Sequence, residues 1–485
     1  MKLSQFFTKI LKKIINFLSR SRRSLIGGIV VAILLPVLLV SILIDILGIV
    51  QNPYFSFLIY LVIGPIFIIG FLMFLGGALF SDDKDNIGQL VVEYFEEELR
   101  RPGRFTRIRK IIFLTSLTTV GTLIVVFIVT FAGLQYTDTV GFCSQFCHKV
   151  MEPEYVTYKN SPHSQVSCVE CHIGASSEWF TKSKFSGARQ LLAVMRDSYN
   201  RPIKTPITAL RPERGTCESC HRPEIFHGHK LCIHDKFLSD ENNTHVQTVM
   251  LLKIGSGDYS GREAHDIHWH ISENNKVTFI TSGDREDIYQ VSLVGSDQKK
   301  IVYRNNDHKL VREKELEERV MDCMDCHNRP THIFLSPEEA LDQKIINGVI
   351  PQKIPFIKRQ GLAAIVKKYA SQDVARRGIA QELLDWYREH YPDLINQERD
   401  LVDQAVRGVQ EAYMENVFPQ MNIEWGAYKS YTGHKNGSGC FRCHHENFKT
   451  DTGKTIPDNC DICHITLIED QPVRDVAEFL KGLAK

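Results

Sequence analysis

The chain has 485 residues, of which 43% are apolar and 24% charged, and its 58 Lys and Arg residues nearly balance its 57 Asp and Glu residues. This balance provides no basic footprint of the kind that nucleic acid requires, so nucleic acid is excluded as a partner. The apolar fraction is too high for a disordered chain. The composition is also uneven, since the long apolar runs precede residue 134 and all 13 cysteines follow residue 142. The division predicts a membrane anchor followed by a separate chemical domain.

Three apolar segments are each long enough to cross a bilayer as a helix, which takes about 20 residues. They cover residues 26–50, 54–80 and 111–133. Before them, residues 1–24 place apolar side chains and lysines on opposite helical faces, which predicts a cytoplasmic amphipathic segment lying in the membrane surface. We therefore expect two transmembrane helices within residues 25–80 and a third at 111–133.

The orientation follows from the Lys and Arg residues near the ends of the predicted helices. Residues 1–25 and the loop 81–110 carry seven such residues each, whereas the connections 51–53 and 134–142 carry none. Because basic loops stay in the cytoplasm, we expect the N-terminus and the 81–110 loop there. Everything after residue 134 then lies in the periplasm, on the outer face of a bacterial inner membrane.

Twelve of the 13 cysteines form six pairs, and a histidine directly follows each pair. Five pairs have the spacing C-x-x-C-H, and the first pair has one extra residue between its cysteines. The six motifs are Cys143, Cys147 and His148; Cys168, Cys171 and His172; Cys217, Cys220 and His221; Cys323, Cys326 and His327; Cys440, Cys443 and His444; and Cys460, Cys463 and His464. Two such thiols form thioethers to the vinyl groups of one haem, and the histidine ligates its iron as the proximal ligand. The motifs predict six covalently bound c-type haems.

Other uses of paired cysteines fit this pattern less well. Zinc sites group such pairs in fours and do not require a histidine after the second cysteine. A thioredoxin-like protein carries a single C-x-x-C motif, beside a βαβ pattern. Disulfides are favoured outside the cytoplasm but leave six adjacent histidines unexplained. The unpaired Cys232 is expected to be a buried thiol.

The chain has 19 histidines, so the six motifs leave 13 others from which distal iron ligands can come. Three of them stand close to a motif and are candidate distal ligands. His163 precedes the second motif, His332 follows the fourth behind a stiffening proline, and His434 precedes the fifth.

A second group of histidines lies between residues 227 and 270. Within it His229 and His268 are preferred as distal ligands. If the segment is a strand, His268 and His270 share one face. Met151, three residues after His148, is a candidate thioether ligand of the first haem.

The part after the anchor divides into three regions. Residues 134–222 hold the first three haem motifs, with so little apolar periodicity that haems would form the core. Residues 223–322 contain short alternating runs at 245–254, 275–282, 287–295 and 300–304, separated by Gly, Asn and Asp, which predict a small antiparallel β-rich insertion. Residues 323–485 form a predominantly helical module with the fourth to sixth motifs, with a helical pattern over 337–418 and a short helix over 471–484. The expected fold is a membrane-anchored multihaem cytochrome c: three transmembrane helices and a mainly α, haem-cored periplasmic domain.

Over roughly residues 111–222 the chain resembles the NapC/NirT/NrfH family of membrane-anchored quinol dehydrogenases. The likeness rests on short motifs after the third apolar segment: Met151 beside the first haem motif, Ser161-Pro-His163, and Trp179 with Lys182 and Lys184. The C-terminal part, with His327-Asn-Arg-Pro-Thr-His332, is similar to larger inner-membrane cytochromes of the ImcH type. The chain departs from the first family in the longer spacing of its first motif and in a methionine shifted by one position.

The resemblance implies a quinol site between the anchor and the first haem, with a lysine and an acid nearby. Lys182 or Lys184 would supply the base. The family's acid falls near Gln190, which cannot ionise, so Asp197 is the next candidate. The implied function is to oxidise quinol of the membrane quinone pool and to pass the electrons to periplasmic cytochromes or reductases. Two alternatives stay open: an electron-conducting anchor subunit of a larger respiratory complex, and a terminal reductase with a five-coordinate catalytic haem.

Overall fold

The structure is a computed structural model. It describes residues 21–46, 58–79, 135–146, 148–173, 177–207, 213–222, 228–255, 265–272, 275–295, 297–307, 316–434 and 437–483, with some positions between 110 and 133. The chain forms two compact units. The first contains the residues up to 142 together with 175–185, and the second contains 143–174 and everything from 186 onward.

The first unit is built on two apolar helices that pack closely. They are α1, Arg22–Ile46, and α2, Gly64–Leu79, which follows a π-helical turn at Leu58–Ile63. A Cβ atom on Gly27 would lie 2.5 Å from the carbonyl oxygen of Gly70, so only glycine permits this approach. The hydroxyl of Ser21 donates to the carbonyl of Gly77 at 3.2 Å. Small residues at helix contacts are typical of membrane-embedded helices.

One described helix, Arg23–Ser41, is long and apolar enough to cross a membrane, where three spans were expected. The second expected span contains only a shorter apolar α-helix, Gly64–Gly77, because the chain before it adopts the π-helical turn. Of the third, 111–133, only scattered positions are described, and the amphipathic segment 1–20 lies outside the described residues. The described residues therefore contain one candidate span, and most of the third expected span lies outside them.

Short helices carry the first three haem motifs. A π-helical turn at Phe142–Phe146 is followed by α3, His148–Lys159; α4, Cys168–His172; α5, Ser177–Met195; and α6, Glu213–Cys217. In the second unit, Val150 of α3 packs into a small buried cluster with Phe334, Phe418 and Tyr428 from the later chain. The motif helix α4 has no buried residue. Apolar side chains of the described residues thus fill little of the space around the second motif.

The second unit contains two antiparallel sheets. Their strands are β1, Lys230–Phe237; β2, His245–Leu252; β3, Lys276–Ser282; β4, Ile288–Val294; β5, Lys300–Asn305; β6, Leu316–Val320; β7, Phe448–Lys449; and β8, His464–Pro472. One sheet has the order β6-β3-β4-β5-β7 and the other β1-β2-β8. The predicted β-rich insertion is confirmed over β2 to β5. Both sheets also take a strand from the chain beyond residue 440.

The helical module has the largest apolar core of the described residues. Its helices are α7, Cys323–Cys326; α8, Pro337–Ile346; α9, Ile357–Ile365; α10, Gln372–His390; α11, Pro392–Gln397; α12, Arg399–Met414; and α13, Val473–Leu483. Ile357, Ile379, Tyr387 and Val409 are fully buried in this core. The predicted helical pattern over 337–418 and the predicted helix near the C-terminus are confirmed.

Buried polar contacts join the helical module to the β1–β2 hairpin. Asp342 of α8 accepts a hydrogen bond from the backbone N–H of Phe237 at 3.1 Å. The amide of Asn243 donates to the carbonyls of Gln352 and Ile354 at 2.8 Å each. Because a buried polar group must be paired, these bonds fix the hairpin against the helices.

Candidate haem sites

Each described motif adopts a single tight turn. Three motif histidines donate their backbone N–H to the carbonyl of the first cysteine of their motif: His221 to Cys217 at 2.8 Å, His327 to Cys323 at 2.7 Å, and His444 to Cys440 at 3.0 Å. Residues three and four positions apart lie on the same side of a helical turn. The turn therefore presents both thiols and the imidazole to the same bound group.

Four motif histidines face a second histidine. The distances between ring centres are 6.4 Å for His172 and His332, 6.0 Å for His221 and His163, 5.8 Å for His444 and His270, and 6.3 Å for His464 and His434. A metal–nitrogen bond of about 2 Å, with roughly 1.1 Å from nitrogen to ring centre, places two ligating imidazoles about 6 Å apart. The four pairs have the spacing that one metal ion between them requires.

Backbone carbonyls fix the orientation of several of these rings through Nδ1. The Nδ1···O distances are 2.7 Å from His270 to Ile267, 2.6 Å from His444 to Pro457, 2.9 Å from His332 to Glu154, and 3.1 Å from His163 to Pro330. A carbonyl only accepts, so Nδ1 carries the proton and Nε2 is the nitrogen that can bind a metal. Metal-ligating histidines usually have this second contact.

His327 lies close to a histidine of the β-rich insertion. Desolvation lowers the pKa of His327, and the nearby His268 and His221 lower it further. Burial likewise lowers the pKa of His268 and the pKa of His270. The nearby His444 lowers the pKa of His270 further. These rings stay neutral at pH 7, as metal ligands must.

The pair His172 and His332 is surrounded by charged groups. Burial lowers the pKa of His332 to about 4, although the hydrogen bond to the Glu154 carbonyl opposes the shift. The Glu154 carboxylate lies 3.1 Å from His332 Nδ1, and burial raises its pKa against the opposing charge of Arg329. The Arg329 guanidinium lies 3.7 Å from the ring centre of Tyr428.

Thiols of different motifs also lie close together. A hydrogen bond from Cys143 is the main cause that lowers the pKa of Cys168 to about 7. A hydrogen bond with Cys217 raises the pKa of Cys323.

The later motifs continue this series of contacts. Burial and then the nearby Cys440 raise the pKa of Cys326 to about 11. Burial and then Cys440 also raise the pKa of Cys463. Thiols of the first and second motifs therefore lie near each other. The same holds for the third and fourth motifs, the fourth and fifth, and the fifth and sixth.

The distal candidates from the sequence have different surroundings. His163, His332 and His434 each face the histidine of a motif other than the one beside them in the chain. His229 instead lies 3.9 Å from Asp266. Met151 belongs to α3, but the side chain of His148 and all of Cys147 lie outside the described residues.

The quinol-site candidates are only partly described. Lys182 and Lys184 belong to α5, and their side chains lie outside the described residues. Asp197 is exposed and forms an ion pair with Arg201. Cys232, expected to be buried, is a half-buried free thiol in β1.

Sequence reasoning did not prefer His270 as a ligand. The segment Ile267–Ile271 is a 3₁₀ helix rather than a strand, so His268 and His270 do not share a face. The local signal was the His-Trp-His run itself, and the ring contact that distinguishes His270 involves a residue far along the chain.

Bare metal sites and disulfides do not account for the cysteines that the structure describes. Within the described residues, no group of three or more His, Cys, Asp or Glu side chains converges as a bare metal ion would require. The described cysteines are all in the thiol form. Paired imidazoles beside paired thiols fit c-type haem, which supplies both the iron and the vinyl groups.

Comparison with known proteins agrees with this chemistry. Residues 106–227 match the model of the NapC/NirT cytochrome c family, N-terminal region. The chain is 34% identical over 446 residues to the cytochrome c-type protein ImcH of Geobacter sulfurreducens, covering 91% of this chain and 87% of that protein. The chain belongs to the ImcH family of c-type cytochromes.

A shorter relative matches the N-terminal part of this cytochrome. The cytochrome c nitrite reductase subunit NrfH of Nitratidesulfovibrio vulgaris is 32% identical over 92 residues, which are 18% of this chain and 55% of that protein. No solved structure matches the chain. The expected NapC/NirT and ImcH resemblances are confirmed, and with them a multihaem cytochrome of electron transport.

Proposed function

We propose that this cytochrome is a hexahaem protein of the bacterial inner membrane that oxidises quinol and passes the electrons to periplasmic acceptors. The observation that carries the proposal is the pairing of histidines. Four motif histidines lie beside a second imidazole, at 5.8–6.4 Å between ring centres. Two strong ligands leave no position for a substrate on iron, as an electron carrier requires.

The residues of the chain have distinct tasks in this proposal. The cysteine pairs hold each haem covalently, and the motif histidines and their partners orient it. Bound c-type haem supplies one-electron oxidation and reduction. The contacts between motifs keep the attachment points of the first and second motifs close together, and likewise those of the third to sixth. Lys182 or Lys184 with Asp197 would accept the protons that quinol releases.

The alternatives differ in what they require. A terminal reductase requires a haem with an open position, and the four histidine pairs oppose that for the second, third, fifth and sixth motifs. An anchor subunit is compatible with the same pairs, and one relative is itself named a subunit. Membrane quinone and periplasmic cytochromes or reductases remain the proposed partners, and a stoichiometric companion in purified material would favour the subunit.

The proposal is tested by reducing the detergent-purified protein with a menaquinol analogue and following the haem Soret band. We expect full reduction, and at least tenfold slower reduction in Lys182→Ala or Lys184→Ala. Lys159→Ala, which removes an exposed lysine from α3, is the matched control. Equal rates in all three variants would place the quinol site elsewhere. A protein that the analogue does not reduce would overturn quinol oxidation.

The haem number has its own test. The mass of the intact protein should exceed the mass of the bare chain by six haems, one for each motif. A smaller excess would show that a motif is not used.

A further inference from the structure

An arginine inside the fifth haem motif binds the backbone of the fourth motif. Arg442 stands between the two cysteines of the fifth motif, and Asp325 stands between those of the fourth. The Arg442 guanidinium donates a hydrogen bond through Nη2 to the carbonyl of Asp325. The two residues are 117 positions apart in the chain, so this bond links two haem attachment turns that only the fold brings together.

The same guanidinium contacts two other segments of backbone. Its Nη1 donates to the carbonyl of Arg285 at 2.8 Å, in the turn between β3 and β4, and its Nε donates to the carbonyl of Gly439 at 3.1 Å. Its central carbon lies 3.7 Å from the centre of the Tyr431 ring. A guanidinium is planar and holds its donors in a fixed arrangement, so three carbonyl contacts and one ring fix the orientation of this side chain.

The residue that accepts this hydrogen bond is itself fixed on the side of the five-stranded sheet. The side chain of Asp325 is 2% exposed, and its Oδ2 accepts from the backbone N–H of Asp322 at 2.8 Å. Its Oδ1 lies 3.5 Å from Nε of Arg319 in β6 and 4.0 Å from Nη1 of Arg285. Because a buried carboxylate requires such partners, the fourth motif cannot turn without losing them.

Two other side chains connect the fourth motif to the segment that precedes the fifth. The amide oxygen of Asn328, directly after the fourth motif, accepts from the backbone N–H of Tyr431 at 2.9 Å, and its nitrogen donates to the carbonyl two positions earlier at 2.8 Å. The hydroxyl of Thr432 donates to the carbonyl of Cys326 at 3.2 Å. We call Arg442, Asn328 and Thr432 the clamp, because each joins the fourth motif to the fifth or to its approach.

We propose that the clamp fixes the separation and orientation of the fourth and fifth haems, with Arg442 as the central positioning residue. The inference rests on the proposed function, in which electrons pass singly from haem to haem. Transfer of one electron between the fourth and fifth haems forms and breaks no bond. The protein therefore controls its rate through the placement and the potentials of the two groups. The clamp acts on placement, because it joins the residues that lie between the paired cysteines.

The test uses the full-length protein and separates geometry from charge. Arg442→Lys keeps the positive charge but loses the planar set of donors, whereas Arg442→Gln loses both. The matched control is Arg304→Lys, which changes an arginine of the same sheet that pairs with the exposed Asp451 at 2.6 Å. The pyridine haemochrome measures the haem content, a redox titration the potentials, and Soret circular dichroism the relative orientation of neighbouring haems. Stopped-flow reduction by a menaquinol analogue measures the passage of electrons along the chain.

The unsubstituted protein and Arg304→Lys should be reduced in one phase and should share one circular dichroism spectrum. In Arg442→Lys we expect four of the six haems to be reduced at the unchanged rate and the fifth and sixth to follow about tenfold more slowly. Its Soret circular dichroism should differ from that of the unsubstituted protein, and its haem potentials should not. Arg442→Gln should show the same two phases and, because it removes a positive charge, a lower potential of at least one haem.

Single-phase reduction of Arg442→Lys, or an unchanged circular dichroism spectrum, would overturn the inference. Changes confined to Arg442→Gln would overturn it as well, since charge alone would then account for them. If the Arg442 variants lose haem, the double variant Asn328→Ala and Thr432→Val removes the other clamp contacts, and it should show the same two phases and altered spectrum. An unsubstituted protein that quinol does not reduce would refute the proposed function alone, and circular dichroism, which needs no quinol, would then decide the inference.

Discussion

A buried ion pair between Lys358 and Asp342 connects α9 to α8, and its removal tests how this fold balances charge against burial. The two side chains are 4% and 13% exposed, and the ammonium also donates to the carbonyl of Glu338 at 2.7 Å. Burial lowers the pKa of Lys358 and raises the pKa of Asp342, in each case against the attraction of the partner. For both groups the cost of desolvation exceeds the gain from pairing.

Asp342→Asn should destabilise the helical module by about 3–5 kcal/mol, the usual cost of leaving one charge of a buried pair uncompensated. Asparagine keeps an acceptor for the backbone N–H of Phe237, so the loss comes from the isolated ammonium. Adding Lys358→Met should restore most of the stability, because no charge then remains buried.

Lys358→Met alone should depend on pH. Burial holds the folded-state pKa of Asp342 above its unfolded value of about 4, so this variant is most stable below that pH. Its stability should fall as the pH rises through the folded-state pKa, because the carboxylate then becomes charged without a partner.

Hydrogen–deuterium exchange of the full-length protein measures these changes locally. Amides of α10 and α12, which pack in the same core, should lose protection by roughly 10²- to 10⁴-fold in Asp342→Asn. The control Asp403→Asn removes a more exposed pair with Arg399 and should change protection by less than about fivefold. Unchanged protection in Asp342→Asn, or a double variant no more stable than the single one, would refute the reasoning.

Three further predictions concern the haem surroundings and the core. Glu154→Gln removes the charge 3.1 Å from His332 Nδ1 and should raise the potential of the second haem by roughly 65–130 mV in a redox titration, whereas no shift would contradict that role. Gly408→Ala places a Cβ 2.5 Å from the Ile350 side chain and should lower the free energy of unfolding by about 1–3 kcal/mol, as measured by hydrogen exchange. The control Gly482→Ala places its Cβ in open space and should not lower it. If the protein is produced without haem attachment, the amides of α10 and α12 should keep their protection from hydrogen exchange, because these helices pack in the apolar core. The amides of α4, which has no buried residue, should lose their protection. Loss of protection in all three helices would contradict this prediction.

Local patterns predicted secondary structure where burial alternates with exposure. Strand β3 buries every second side chain and was expected. Strands β1 and β8 are mostly exposed and were not expected, since backbone pairing with β2 rather than an apolar face holds them. The His268–His270 turn was misjudged because a 3₁₀ helix has no distinct apolar period over five residues.

The sequence by itself determined the six motifs of paired cysteines and histidine, because those groups act together within one turn of backbone. Tertiary structure decided which second histidine stands opposite each motif. His332 follows the fourth motif yet faces His172 of the second, and His163 precedes the second motif yet faces His221 of the third. A thioether pair needs only neighbours along the chain, whereas an opposing imidazole must approach through space, and the path of the folded chain sets that approach.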